Sequence, residues 1–222
     1  MRDDQLIYLW VLVNLLVTVG AHCNCKSSTE KFSDSTAFLF LDYEVVAVAL
    51  MPNSAVKTSF LSQSLAWLQA VRGSVRRSTQ IMFSRVEFRP GYPEISCRNK
   101  QLSAISKLNL VIEGTPGTEF YPGFQPQANE IQFVKRRVSA AYNSELLILL
   151  DSQCIKTVVL AGLSTSSVIL STTRQLADMD FIIYIIRDAV IDPNSTVNEV
   201  LLDSVLTSQA TVLSIDAAKK ML

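Results

Sequence analysis

The sequence predicts an α/β domain built on a parallel sheet with helices over both faces. Two observations predict it. The runs 37–41 (AFLFL), 156–161 (KTVVLA) and 181–187 (FIIYIIR) hold apolar side chains at consecutive rather than alternate positions, as strands buried on both faces do. Between them lie stretches with apolar residues at helical spacing, so strand-like and helix-like segments alternate along the chain. No internal repeat or low-complexity segment interrupts that order.

In chain order, the polar segment 26–35 (KSSTEKFSDS) reads as a linker, and the first strand, 37–41, ends at Asp42. Val56, Phe60, Leu61, Leu65 and Leu68 mark a helix over 54–72, and 80–88 (QIMFSRVEF) reads as a second strand. The stretch 89–130 holds Pro90, Pro93, Pro116, Pro122 and Pro126, together with Gly91, Gly114, Gly117 and Gly123. It reads as a long loop-rich excursion with one helix near 100–108, and such loops are usually functional or disordered. A short strand at 130–135 and a helix at 143–153 follow, then the strand 156–161 and a helix over 166–179. The strand 181–187 ends at Asp188, a helix spans 194–206, and the last strand is 211–215. The ligand crevice of a parallel sheet lies beyond the carboxyl ends of its strands. Asp42, Lys135, the turn 162–168 and Asp188 are all placed there by this reading.

Composition narrows the function. The chain has 222 residues, enough for one sizeable domain, with 20 basic and 20 acidic side chains. Zero formal charge argues against a nucleic-acid partner, which requires a basic face, and Arg72, Arg76 and Arg77 read as a solvated helix end. His22 is the single histidine, so the main body holds no Ser-His-Asp triad, no Cys-His pair and no histidine zinc site. Cys97 and Cys154 are too sparse for a disulfide scaffold. Cys23 and Cys25 beside His22 have the spacing of a metal clip, but lie in a tail expected to be mobile or removed. No cofactor or metal is called for. Residues 6–21 (LIYLWVLVNLLVTVGA) are apolar apart from Asn14 and too short for a standard spanning helix. A secretory signal over 1–21, hence a secreted protein, is the preferred reading. MRDD is a poor basic start, and a short membrane anchor or a misassigned start are its rivals; without a working signal the protein would be cytoplasmic. The sequon Asn194-Ser195-Thr196 matters only if the chain is secreted.

The segments AFLFLDYE, RPGYPEIS with Asn99, NEIQFVKRRVSAAYNSEL, TVVLAGLSTSSVILSTTRQLADMDF and RDAVIDPN, in that order, resemble the isochorismatase-like hydrolases, the cysteine hydrolase superfamily. The likeness runs over 36–217, with a linker at 22–35 before it and a tail at 218–222 after it. The resemblance implies a three-layer α/β/α, Rossmann-like fold with a mostly parallel six-stranded sheet, a small-molecule substrate and a homo-oligomer. It also implies a triad of Asp, Lys and Cys. Asp42 and Lys135 match the first two positions; Glu44 stands where family members often have Gln. Counting from Gly162 through Thr165 places the nucleophile at Val168, which has no lone pair.

Two readings follow from that departure. Residues next to each other on a helix point about 100° apart, so Ser167 is not expected to fill the place of the missing thiol, and no histidine activates it; an unassigned chemistry using Thr165, Ser166 or Ser167 is the least favoured alternative beside the two. The first reading is a hydrolase of a small anionic or carbonyl-containing substrate, with Asp42 as acid/base and Lys135 as its electrostatic partner and grip for a substrate carboxylate. Vinyl-ether hydrolysis, which some family members perform without the cysteine, fits it. Gly162, Thr165, Ser166 and Ser167 would line the substrate, with N–H groups of the helix start facing an anion. The second reading is an inactive relative that binds a small ligand or a partner. The metal-dependent nicotinamidase branch needs histidines that this body lacks.

Overall fold

A computed structural model describes residues 31–52, 54–74 and 80–222. The expected leader at 1–21, the residues His22, Cys23 and Cys25, the linker up to residue 30, and Arg76 and Arg77 lie outside the described residues. The elements are β1 (Thr36–Leu41), α1 (Val45–Leu50), α2 (Ala55–Ser74), β2 (Gln80–Val86), α3 (Lys100–Lys107), β3 (Ile131–Lys135) and α4 (Leu146–Ser152). Then come β4 (Thr157–Leu163), a π-helical turn (Thr165–Ile169) opening α5 (Leu170–Ala177), β5 (Ile182–Ile191), α6 (Ser195–Val200), β6 (Thr211–Leu213) and α7 (Ile215–Lys219).

Consecutive apolar residues in the strands divide between two cores, because successive side chains of a strand point to opposite faces. In β1, Leu39 and Leu41 enter one cluster with Val158 and Leu160 of β4. Phe38 and Phe40 enter the other, with Val159 and Ala161 of β4 and Trp67 and Leu68 of α2. Every residue of β1 and β4 is buried, which is why neither strand alternates. The sheet order is β3-β2-β1-β4-β5-β6, and every pairing is parallel.

That order places the site. The chain adds β2 and β3 on one side of β1, then returns to lay β4 on the other, so the strand order reverses between β1 and β4. A crevice opens at the carboxyl ends of two such strands. Register sets Leu41 beside Gly162, and a Cβ on Gly162 would sit 2.3 Å from the Leu41 carbonyl oxygen. Only glycine permits the two backbones to approach this closely.

The structure corrects the strand reading at β5. That strand continues four residues past Arg187, to Ile191. Its register against β4 shifts between Leu160 and Gly162, and the bulge carries the polar pair Arg187 and Asp188 inside the strand. Asp188 therefore does not end the strand; its carboxylate accepts the Ile215 N–H at the start of α7, at 2.7 Å. The residue that follows the strand is Asp192. The helix α1 was not legible, since VVAVAL suits a strand as well as a helix. No helix among the described residues is long and apolar enough to cross a membrane.

Candidate functional site

Asp42 directly follows β1 with a positive φ of 60°, a conformation that aspartate tolerates better than most residues. Its backbone N–H donates to the Ser84 hydroxyl at 3.1 Å, and that hydroxyl donates back to Asp42 Oδ1 at 2.6 Å. Ser84 lies opposite Leu41 in the register of β1 and β2, so the neighbouring strand fixes both the backbone and the carboxylate of Asp42. The other oxygen, Oδ2, lies 2.8 Å from the Lys135 ammonium. Lys135 ends β3, opposite Val86 of β2, and reaches past that strand to Asp42. Both partners are buried. Lys135 also donates to the carbonyls of Arg137 and Val138, each at 3.1 Å. An ammonium has three donors, and here the protein takes all of them.

These groups face a cavity of about 170 Å³. Val168 lies on its wall with Asp42 and Lys135 and is otherwise enclosed, at 1% exposure. Ser164 and Ser167 also line it. The excursion 89–130 closes part of it, because α3 contributes Gln101, Leu102 and Ile105. The Gln101 amide donates to Ser167 Oγ at 2.6 Å, tying α3 to the turn after β4. An apolar chamber of about 120 Å³ adjoins the cavity; Asp42, Val86, Ile105 and Leu163 belong to both, and Glu44 to the chamber.

Glu44 is fully buried. Its Oε1 accepts the Val86 N–H, and its Oε2 has no partner. Burial pushes this carboxyl well above the usual carboxylate range, and the Asp42 charge pushes it further; the Val86 N–H, then Lys135, oppose the shift, and Glu87 adds to it.

Of Gly162, Thr165, Ser166 and Ser167, expected to line the substrate at this turn, the structure places only Ser167 on the cavity wall. Gly162 packs against Leu41 inside the sheet. Thr165 is buried and donates to Asn198 Oδ1 at 2.6 Å. Ser166 is exposed, and its backbone N–H donates to Asp192 Oδ2 at 2.8 Å. The Ser167 N–H is taken by the Ser164 carbonyl, at 3.2 Å. The expected anion seat at this helix start is thus occupied by the protein, with the Asp192 carboxylate where an anion would bind. The expected grip of Lys135 on a substrate carboxylate meets the same difficulty, since its donors are already used. Sequence reasoning missed Ser84, Gln101 and Arg137. Ser84 had a signal, a lone hydroxyl within a buried apolar strand; Arg137 had only its place after Lys135. Among the described residues, no group of three or more His, Cys, Asp and Glu side chains could hold a metal.

Residues 36–217 match the isochorismatase domain. The chain belongs to the isochorismatase family. Maleamate amidohydrolase of Pseudomonas putida is 35% identical over 89 residues, a stretch spanning 40% of this chain and 42% of that relative. An isochorismatase family protein from Burkholderia thailandensis superposes with a TM-score of 0.71 at 17% identity, over 88% of this chain and 99% of the other. A cysteine hydrolase from Pseudomonas syringae pv. phaseolicola gives 0.74 at 14% identity, over 88% and 98%. N-carbamoylsarcosine amidase from Thermoplasma acidophilum gives 0.66 at 19%, over 82% and 96%. These identities speak for the fold: a six-stranded parallel α/β domain shared with isochorismatase-family hydrolases.

Proposed function

We propose that this isochorismatase-family hydrolase cleaves a small carbonyl-containing substrate by direct attack of water, without a covalent enzyme intermediate. The buried 2.8 Å pair of Asp42 and Lys135 on the cavity wall carries this reading, beside a Val168 that closes the thiol route. A carboxylate has about four lone-pair sites, and Ser84 and Lys135 use only part of that capacity. Asp42 can therefore accept a proton from water as it attacks the carbonyl carbon, then return that proton to the leaving group. Lys135 holds the carboxylate in place and balances its charge during that cycle. A vinyl ether fits the same pair: the carboxyl delivers a proton to the enol carbon, and water adds to the resulting cation.

One observation favours a second reading, a family member that binds a small ligand without turning it over. Both Asp42 oxygens and all three Lys135 donors have protein partners, as in a structural ion pair. The purified chain assayed against isochorismate, maleamate and N-carbamoylsarcosine, beside Asp42→Asn, separates the two. Turnover that disappears in Asp42→Asn supports hydrolysis. Turnover that survives the substitution removes Asp42 from the chemistry, and a folded wild type that turns over none of the panel favours the binding reading.

A further inference from the structure

For an anion entering the cavity, the donors to weigh are Lys135, the N–H groups of the helix start and Arg137, beside the neutral amide of Gln101, and the first two are already engaged. Lys135 has its three donors on Asp42, Arg137 and Val138, and the N–H groups of Ser166 and Ser167 are on Asp192 and Ser164. The third is Arg137, which lines the cavity. Its guanidinium makes one hydrogen bond, from Nη1 to the Arg136 carbonyl at 2.5 Å, although it carries five N–H donors. Among the described residues no carboxylate pairs with it; Arg72, Arg85, Arg89, Arg136 and Arg187 each have an acidic partner, and the two others without one, Arg98 and Arg174, are exposed and away from the cavity wall.

The local charge balance points the same way. Asp42, Lys135 and Arg137 are the charged side chains on the cavity wall. Asp42 and Lys135 neutralise each other, and Glu44 in the adjoining chamber is buried and short of a partner. Arg137 is the charge left unmatched, in a cavity whose wall is otherwise made of the neutral polar side chains Gln101, Ser164 and Ser167 and of apolar groups such as Leu102, Ile105 and Val168. A planar guanidinium forms paired hydrogen bonds with a carboxylate. Its place is also set by the ion pair, because Lys135 Nζ binds the Arg137 carbonyl. Lys135 thus acts on an anion through the loop that it pins.

We propose that Arg137, rather than Lys135, is the anion-binding residue of this cavity, and that it selects a monocarboxylate whose apolar body lies along α3 and Val168. The inference deepens the hydrolase reading by naming the ligand class of the same site, and its test does not depend on turnover. Binding of maleamate and benzoate to the full chain is measured by calorimetry, each against its uncharged amide, maleamide and benzamide. The wild type is expected to prefer at least one carboxylate over its amide by about 10- to 100-fold, the range of a hydrogen bond to a charged group. Arg137→Gln should lose that preference with its melting temperature unchanged, and Arg137→Lys should restore part of it. A wild type with no preference for either carboxylate, or an Arg137→Gln variant that keeps it, overturns the proposal. Arg137-dependent binding without hydrolysis supports the proposal while removing the hydrolase reading. Hydrolysis of maleamate with KM unchanged in Arg137→Gln does the reverse.

Discussion

Lys135 and Asp42 meet at 2.8 Å from strands that are not neighbours, β3 and β1, with β2 lying between them. The pair therefore fastens the end of the outer strand across the sheet to its centre. Removing one partner strands a buried charge, which costs about 3–5 kcal/mol. Lys135→Met should lose about that much stability in urea unfolding. The double variant Asp42→Asn with Lys135→Met should recover part of it, because the asparagine is neutral and retains the carbonyl that Ser84 bonds. A double variant less stable than Lys135→Met would contradict this account.

Gly162 makes a second, purely steric prediction. Its Cβ would lie 2.3 Å from the Leu41 carbonyl oxygen and 2.9 Å from Leu41 Cβ, at a φ of +155°. Neither obstacle is the tip of a flexible side chain, so β1 and β4 would have to part beside Asp42. Gly162→Ala should cost about 3 kcal/mol or more, seen as a fall in melting temperature and in soluble yield. An unchanged melting temperature would mean that the two strands are less closely apposed.

The sheet was legible because burial on both faces leaves a direct mark, the unbroken apolar runs of β1 and β4. Asp42 was legible as the polar residue ending such a run, and Lys135 as the end of the short strand predicted at 130–135. Asp188 misled for the same reason: a bulge can place a charged pair within a strand, and sequence shows the charge but not the bulge. The engaged donors of Lys135 were invisible, because the carbonyls of Arg137 and Val138 leave no trace in residue type. The loss of the helix-start anion seat was hidden likewise, since Asp192 comes from another strand's end.

Glu44 predicts a pH dependence with a definite sign. Its carboxyl is held well above its ordinary value of 4.5 in the folded protein, chiefly by burial. The unfolded chain ionises near that ordinary value, so the stability linked to Glu44 is fully present below it. That stability is lost as pH rises from there through the raised folded value. Glu44→Gln keeps an acceptor for the Val86 N–H and cannot ionise. It should match the wild type in thermal melts near pH 4 and exceed it at neutral and alkaline pH, by about 1.4 kcal/mol for each pH unit between the two values. Parallel melting curves for the two proteins across that range would show that Glu44 is ionised when folded.

Val168 offers a probe of the cavity's charge that needs no substrate. Val168→Cys removes little volume and puts a thiol on the wall shared by Asp42, Lys135 and Arg137. The exposed thiols of Cys97 and Cys154 serve as references within the same molecule. Alkylation by iodoacetamide, which is neutral, and by iodoacetate, an anion of similar size, is followed site by site through peptide masses. Because Arg137 is the unmatched charge, the ratio of iodoacetate to iodoacetamide labelling should be several-fold higher at the introduced thiol than at Cys97 or Cys154. Raised ionic strength should shrink that difference, and adding Arg137→Gln should abolish it. An equal ratio at all three thiols would show that the cavity carries no surplus positive charge.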